Sequence, residues 1–547
     1  MQTTIKLTIE LCQGNEMPDT FTIKGEVPNT GPRIIDTSEK VLLELFYPAM
    51  RQTLERHLEG VSQRATSAAQ AEHGGIIMVN ATPYRVDGEL GRVAFPTFAL
   101  RDGGTVIWNS TAELFGAQGP REYHYTAGMR QLMLRLTSAM SYRDTTDILN
   151  RVRHTADHPT PVTTLAAMVE REGTAVQGWI DHWTTTTLAD HAFTEEGTPS
   201  AEHPIQPLAA DQGRLRQSVI DQALAHYNAG KPAEQKIPLT AAQDFYEDPN
   251  TVVTISIDDV SVKKQKPHRD HAPAPAAGPA AESAETPPTV PTPPVDEAVT
   301  PDPGAETAPV AQSTKKRRTP KPAKAELKRV HNTIAQIDNP QGRYILSGSH
   351  PAAVLRILIA FLLRQDLFRT RRIQFFADGA RDLHAAIHTL LDWVPSLRIL
   401  LDWYHLEKKC GELLSSALRG KAVRNEVRTA LLGLLWLGRV DAAIAYLQQL
   451  SAGAIKDRAW LDKLINYLER HREEIPCYAL RQALGLRNSS NRGEKANDLC
   501  VADRQKHRGM SWSPEGSQAL TSTTTVGRNH ELEQWCENGE LTLQWVA

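Results

Sequence analysis

No apolar run in the chain approaches the roughly 18–20 residues that a membrane-crossing helix needs, so no membrane span is expected. The opening stretch, MQTTIKLTIELCQGNEMPD, lacks the basic segment followed by an apolar one that marks a secretory leader. Cysteine is scarce: Cys12, Cys410, Cys477, Cys500 and Cys536 are scattered, odd in number and form no Cys-x-x-Cys pair. That spacing excludes a disulfide framework and a zinc ribbon, and fits free thiols in a reducing compartment. An overall positive charge is also missing, the net charge being -3. Nucleic-acid binding therefore has to be sought in the distribution of charge rather than in its sum.

Basic residues do cluster. Lys263, Lys264, Lys266, His268 and Arg269 follow one apolar run, and Lys315, Lys316, Arg317, Arg318, Lys321, Lys324, Lys328 and Arg329 form a denser group. A third group is Arg504, Lys506, His507 and Arg508. Between the first two lies a stretch from Ala272 to Thr314 dominated by Pro, Ala, Thr and Glu, without aromatics or a hydrophobic period. Such a composition cannot bury enough apolar area to offset the entropy of ordering, so residues 272–314 read as a disordered tether. At 547 residues the length suggests roughly three domains of about 150 residues each. We expect a β-rich N-terminal region over 1–115, a helical DNA-binding region over 116–245, and a catalytic domain over 246–547 interrupted by the tether.

Around the tether the chain alternates. Thr251–Val262 is β-branched and apolar and reads as a strand carrying Asp258 and Asp259 near its end. Ala325–Ile337 and Gly342–Ser349 read as two more strands about the Asp338-Asn-Pro-Gln-Gly342 turn. Pro351–Arg364 predicts a buried helix with proline in its first turn. Arg372–Ala377 predicts a strand ending at Asp378-Gly379, Ala380–Trp393 a helix, and Leu397–Leu401 a strand ending at Asp402. From Tyr404 to about Leu484 the pattern is helical throughout. Three strands, helix, strand, helix, strand and then helices is the element order of an α/β RNase H-like core with an all-helical insertion, here 406–485. Upstream, Ala127–Ala139, Tyr142–Arg151 (opened by a Ser141-x-x-Asp144 box) and Val162–Val176 predict helices that can form a helix-turn-helix or, alternatively, a plain helical bundle. Gly75–Ser110 looks β-rich, with Tyr84, Arg85, Gly88, Gly91 and Arg92 near its turns.

Carboxylates at strand ends are the central feature. Asp258 and Asp378 each close an apolar strand, and residues just beyond strand ends line the crevice of an open α/β sheet. Two such carboxylates can bridge a hard cation such as Mg²⁺, and a third completes a site for two ions about 3.5–4 Å apart. Candidates for the third lie in Asn488-Ser-Ser-Asn-Arg-Gly-Glu494-Lys-Ala-Asn-Asp498, where Glu494 and Asp498 share a helical face. Singly, each has a plainer reading: Asp378-Gly379 as a turn, Glu494 as a solvated helix residue.

Four motifs in order narrow the choice: Ile257-Asp258-Asp259-Val260; Phe376-Ala-Asp378-Gly379-Ala380; Asp402-Trp-Tyr-His405; and Gly493-Glu494 followed by Arg504-Gln-Lys-His-Arg-Gly-Met-Ser-Trp512-Ser-Pro-Glu-Gly516. Through them, the segment from Thr251 to Ser522 resembles the catalytic domain of bacterial insertion-sequence DDE transposases, in the wider group that includes Mutator-like transposases. The resemblance implies that Asp258, Asp378 and Glu494 hold two Mg²⁺ or Mn²⁺ ions, with Asp402 and His405 supporting the site. It implies a DNA endonuclease and strand transferase acting on transposon ends and target DNA, at work on the nucleoid in a bacterial cytoplasm, and a helical insertion that shapes end binding and dimerisation. Asp259 stands where related chains often have glycine; strand alternation turns it away from Asp258, which we take as the ligand.

Contacts to double-stranded DNA are expected from Arg504, Lys506 and Arg508 beside Glu494, and from Lys315, Lys316, Arg317 and Arg318 at the end of the tether. Base reading falls to the helix-turn-helix. Pairing two DNA ends calls for a homodimer or higher oligomer. Two other readings stay open: an RNase H-like DNA nuclease without strand transfer, and a domesticated transposase that binds DNA without cutting it.

Overall fold

The β-branched run that follows Thr251 forms the central strand of a five-stranded mixed sheet. The computed structural model describes residues 2–12, 18–28, 34–116, 124–153, 159–200, 205–265, 329–379 and 381–546. The strands are β1 (Val252–Lys263), β2 (Arg329–Asn339), β3 (Gly342–Gly348), β4 (Arg372–Ala377) and β5 (Arg398–Leu401), in the order β3-β2-β1-β4-β5. β1 pairs antiparallel with β2, from Lys263 opposite Arg329 to Thr254 opposite Asp338. β4 runs parallel to β1, from Val252 beside Arg372 to Ser256 beside Phe376, and β5 runs parallel to β4. With β1, β4 and β5 parallel, residues just past Ser256, Ala377 and Leu401 emerge at one edge. That edge carries Asp258, Asp378 and Asp402.

Three helices upstream of the sheet pack into the same hydrophobic core as its strands: α1 (Ala127–Ala139), α2 (Tyr142–Val152) and α3 (Val162–Asp190). The expected boundary at residues 245/246 is thus not a boundary of packing. Ser141 caps α2 by accepting the Asp144 amide at 3.1 Å. α3, expected to end near Val176, runs on to Asp190, and buries Leu165, Met168, Val169 and Val176. It lies against two helices of the core, α4 (Pro351–Arg364) and, near the C-terminus, Pro514–Arg528. At the second crossing a Cβ on Gly173 would come within 2.3 Å of the Ala519 Cα, so only glycine lets the helices approach so closely. α4 buries nearly every side chain from Val354 to Leu363; each such aliphatic or aromatic residue contributes about 1.5–3 kcal/mol of transfer free energy.

The insertion forms a second core. α6 (Trp403–Ala417), α7 (Lys421–Trp436), α8 (Val440–Gln448) and α9 (Arg458–Arg470) bury Leu406, Leu414, Leu431, Leu435, Leu461 and Leu464 among themselves. α5 (Arg381–Leu391) joins β4 to β5, and α10 (Tyr478–Ala483) ends the insertion. The segment before β1 packs against that end: Ile220, Leu224 and Tyr246 meet Leu480.

The N-terminal region departs from expectation. It is β-rich only in part, because a 40-residue helix, Ile34–His73, separates a hairpin (Gln2–Leu11 with Asp19–Pro28) from short strands between Ile76 and Asn109. The helix carries a proline, Pro48, inside it and has no pronounced apolar stripe, which leaves little periodic signal to read. Residues 272–314 and Lys315, Lys316, Arg317 and Arg318 lie outside the described residues. Among the described residues no helix is long and apolar enough to cross a membrane.

Candidate functional site

Asp258 lies near the middle of β1, two residues past the last pairing of β1 with β4, which puts it beside Asp378 at the end of β4. Asp259 turns to the other face, where its carboxylate accepts a hydrogen bond from the Thr333 hydroxyl. The face with Asp258 is covered by α11 (Asn491–Asn497), which carries Glu494. A Cβ on Gly493 would stand 2.5 Å from the Ser256 Cβ, so glycine is what brings this helix down onto the strand. One turn on from Glu494, the Asn497 amide donates to the Asp258 carboxylate at 2.5 Å. The four-residue spacing points to Asp498 as the companion of Glu494, whereas the three-residue spacing is the one that reaches Asn497.

Asp402 is fully buried and caps α6, accepting the His405 amide at 2.9 Å and the His405 Nδ1 at 3.2 Å. Its other oxygen accepts the Ser490 amide at the entrance to α11. One carboxylate therefore fixes both the imidazole and the turn that precedes Glu494. The far ring nitrogen of His405 sits 3.7 Å from the Glu494 carboxylate. α11 is held further by Asp338, which receives Arg492 at 3.0 Å and Arg487 at 3.1 Å. Beside Asp378, Gly379 adopts φ +81°, and a Cβ there would come 2.9 Å from the Tyr467 hydroxyl of α9. The insertion thus reaches the Asp378 loop.

The charges are unbalanced. Burial raises the pKa of Asp258, helped by the negative Asp378 and opposed by Asn497, the Asp259 amide and His405. Glu494 is likewise raised, by burial and by Asp402, Asp258 and Asp498, with His405 as the opposing charge. His405 is raised by its hydrogen bond to Asp402 and by the charges of Asp402, Asp378 and Glu494. Asp402 is lowered: burial would raise it, but His405 and the two backbone donors prevail. The carboxylates outnumber the single histidine among them, and their oxygens form a donor set that suits Mg²⁺ or Mn²⁺. The carboxylates do not crowd to a single point. Among the described residues the one close group of potential ligands is His384, His471 and Glu474, elsewhere.

After α11 the chain widens into a π-helical segment, Asp498–Lys506, closed by an i→i+5 bond from the His507 amide to the Ala502 carbonyl at 3.0 Å. This segment corrects one expectation. Arg504 points inward, is 2% exposed, donates to the Thr137 carbonyl at 3.0 Å and lies between the rings of Tyr142 and Trp512. A guanidinium so enclosed cannot reach a duplex backbone; an even spacing of basic residues in sequence does not reveal which turn of a π-helix faces in. Lys506 and Arg508 are exposed. The Trp512 motif is structural as well: its backbone pairs with Lys263 and Gln265 and extends β1. α3, the third helix of the expected helix-turn-helix, has one face buried in the core, although Val162 at its start stays exposed.

No family model, no curated protein and no solved structure matches this chain.

Proposed function

We propose that this chain is a metal-dependent DNA transposase of the DDE type, built on an RNase H-like core. What supports the reading is that Asp258, Asp378 and Glu494 come from three separate elements of a mixed sheet of order 3-2-1-4-5 and its covering helix, with Asp258 feeling the charge of Asp378 and Glu494 that of Asp258. Two Mg²⁺ or Mn²⁺ ions held there would activate a water or a 3′-hydroxyl and stabilise the departing oxygen. Asp258, Asp378 and Glu494 are the ligands. Asn497 orients Asp258 by its hydrogen bond, and the Asp402–His405 pair orients Glu494 and the turn before it. His405, whose pKa its carboxylate neighbours raise, is placed beside Glu494 to contact a phosphate held at the site. Exposed Lys506 and Arg508 lie next to this edge in sequence and are suited to hold double-stranded DNA by its backbone. The protein would act on the DNA of a bacterial cytoplasm as a dimer or larger assembly, because two ends must be joined.

The assay that separates transposition from simple cutting uses a supercoiled plasmid carrying the element's two ends, incubated with the full chain and Mg²⁺. Joined products with the ends inserted into target DNA are expected. Cleaved ends without joining would leave a nuclease, and neither would refute catalysis.

A further inference from the structure

The insertion touches the loop that carries Asp378 through a cluster that the proposed chemistry does not use. His384 stands on the first turn of α5, the helix that follows Asp378-Gly379. His471 caps the C-terminus of the insertion's α9, and Glu474 lies three residues on, in the short 3-10 turn that follows. Both histidines are buried, and each turns its Nδ1 to the same carboxylate: His384 at 3.0 Å from one oxygen of Glu474, His471 at 2.6 Å from the other. One ligand atom from each residue lies within 4.8 Å of the others. The His384 Nε2 is buried without a hydrogen-bond partner.

We propose that His384, His471 and Glu474 bind one divalent transition-metal ion, zinc by preference, which pins the helical insertion to the segment bearing Asp378. Two imidazoles and one carboxylate are a known zinc donor set, and nitrogen ligands select zinc over magnesium. Three protein ligands leave a fourth position for water. Without an ion, the two N–H groups fill the place the ion would take.

One contact opposes binding. Arg470 donates to the His471 Nε2 at 3.1 and 3.0 Å, which puts the ring's proton on Nδ1. For Nδ1 to ligate, that proton must move to Nε2 and the guanidinium must turn away. Arg470 is on the surface and free to do so. Arg470 should therefore weaken the site without abolishing it.

The proposal does not depend on the nuclease reading, and the experiment keeps the two apart. The full chain is stripped with EDTA, returned to millimolar Mg²⁺ and titrated with ZnCl₂ against a chromophoric chelator, with CoCl₂ as a spectroscopic stand-in. We expect one equivalent of zinc per chain, and a cobalt spectrum of four-coordinate intensity. His384→Ala and His471→Ala, checked for folding by circular dichroism, should each weaken zinc at least about tenfold. Arg470→Gln, which leaves the ligands intact, should tighten it. Asp378→Asn should leave it unchanged. Absence of zinc uptake by the wild type, uptake indifferent to both histidines, or its loss in Asp378→Asn would each overturn the proposal.

Discussion

At the scale of single residues, the site depends on small groups as much as on charged ones. Gly493 permits α11 to rest on Ser256, and a methyl group there would overlap the Ser256 Cβ. Gly493→Ala is expected to lower stability by about 1–3 kcal/mol, the usual cost of overpacking, and to displace Glu494. Ser256→Gly in the same chain should restore both, as read by thermal unfolding and by Mn²⁺ affinity. If Gly493→Ala melts like the wild type, the close approach is not what sets the helix. Arg504 provides a second residue-scale test, because burial and exposure separate it from its neighbours. Arg504→Ala should destabilise the fold and leave the salt dependence of DNA binding unchanged. Lys506→Gln and Arg508→Gln should each reduce the slope of log K against log salt by about one. A reduced slope for Arg504→Ala alone would reverse that assignment.

Legibility in sequence also differs residue by residue. Asp378 is conspicuous because an apolar strand ends at it, and Asp402 because it precedes a helix it caps; Asp258, expected to close its strand, lies mid-strand, because β1 runs on to Lys263 against β2. Asn497, Ser490 and the His384–Glu474–His471 cluster are not conspicuous, because their partners are distant in the chain and an amide or a lone histidine has no period. Arg504 misleads because local sequence does not distinguish a stacked, enclosed guanidinium from a solvated one.

At the scale of elements, strong periodicity makes for accurate reading. The boundaries of α1, α4 and β4 agree with the expectation to the residue, since a capping threonine, a proline at the first turn and a short run of apolar residues mark them. The helix Ile34–His73 carries no such marks, and its sequence does not announce it. The segment before β1 is tied to the insertion by a buried ion pair: Arg481 donates to Glu247 at 2.7 Å, both nearly inaccessible. Burial alone would raise the Glu247 carboxyl, but Arg481 and Arg398 overcome it and hold the group below the usual carboxylate range. A carboxyl depressed in the folded state stabilises fully above its unfolded value, near 4.3, and loses that contribution as the pH falls through the lower folded value. Unfolding followed as the pH is lowered from neutral should show stability falling below about pH 4, less steeply in Glu247→Gln. Equal slopes would contradict the shift. Arg481→Met, which strands the carboxylate, should cost about 3–5 kcal/mol at neutral pH.

At the scale of the whole molecule, what sequence order could not show is how the pieces share cores. The helices Ala127–Asp190 look like a separate module in sequence, yet their apolar faces are completed by the sheet and by Pro514–Arg528. A chain folded this way holds its upstream helices, sheet and C-terminal helices as one body, with the insertion's own core touching the Asp378 loop through Tyr467. The central claim is that three carboxylates delivered by this arrangement act together on DNA through divalent ions. Its most direct test is cleavage of a labelled duplex carrying the element's end, in Mg²⁺ or Mn²⁺, by the wild type and by Asp378→Ala. Nicking at the end by the wild type, reduced by orders of magnitude in the variant while DNA binding persists, is the predicted result. Specific binding by both proteins with no cleavage by either, or undiminished cleavage by Asp378→Ala, would contradict it.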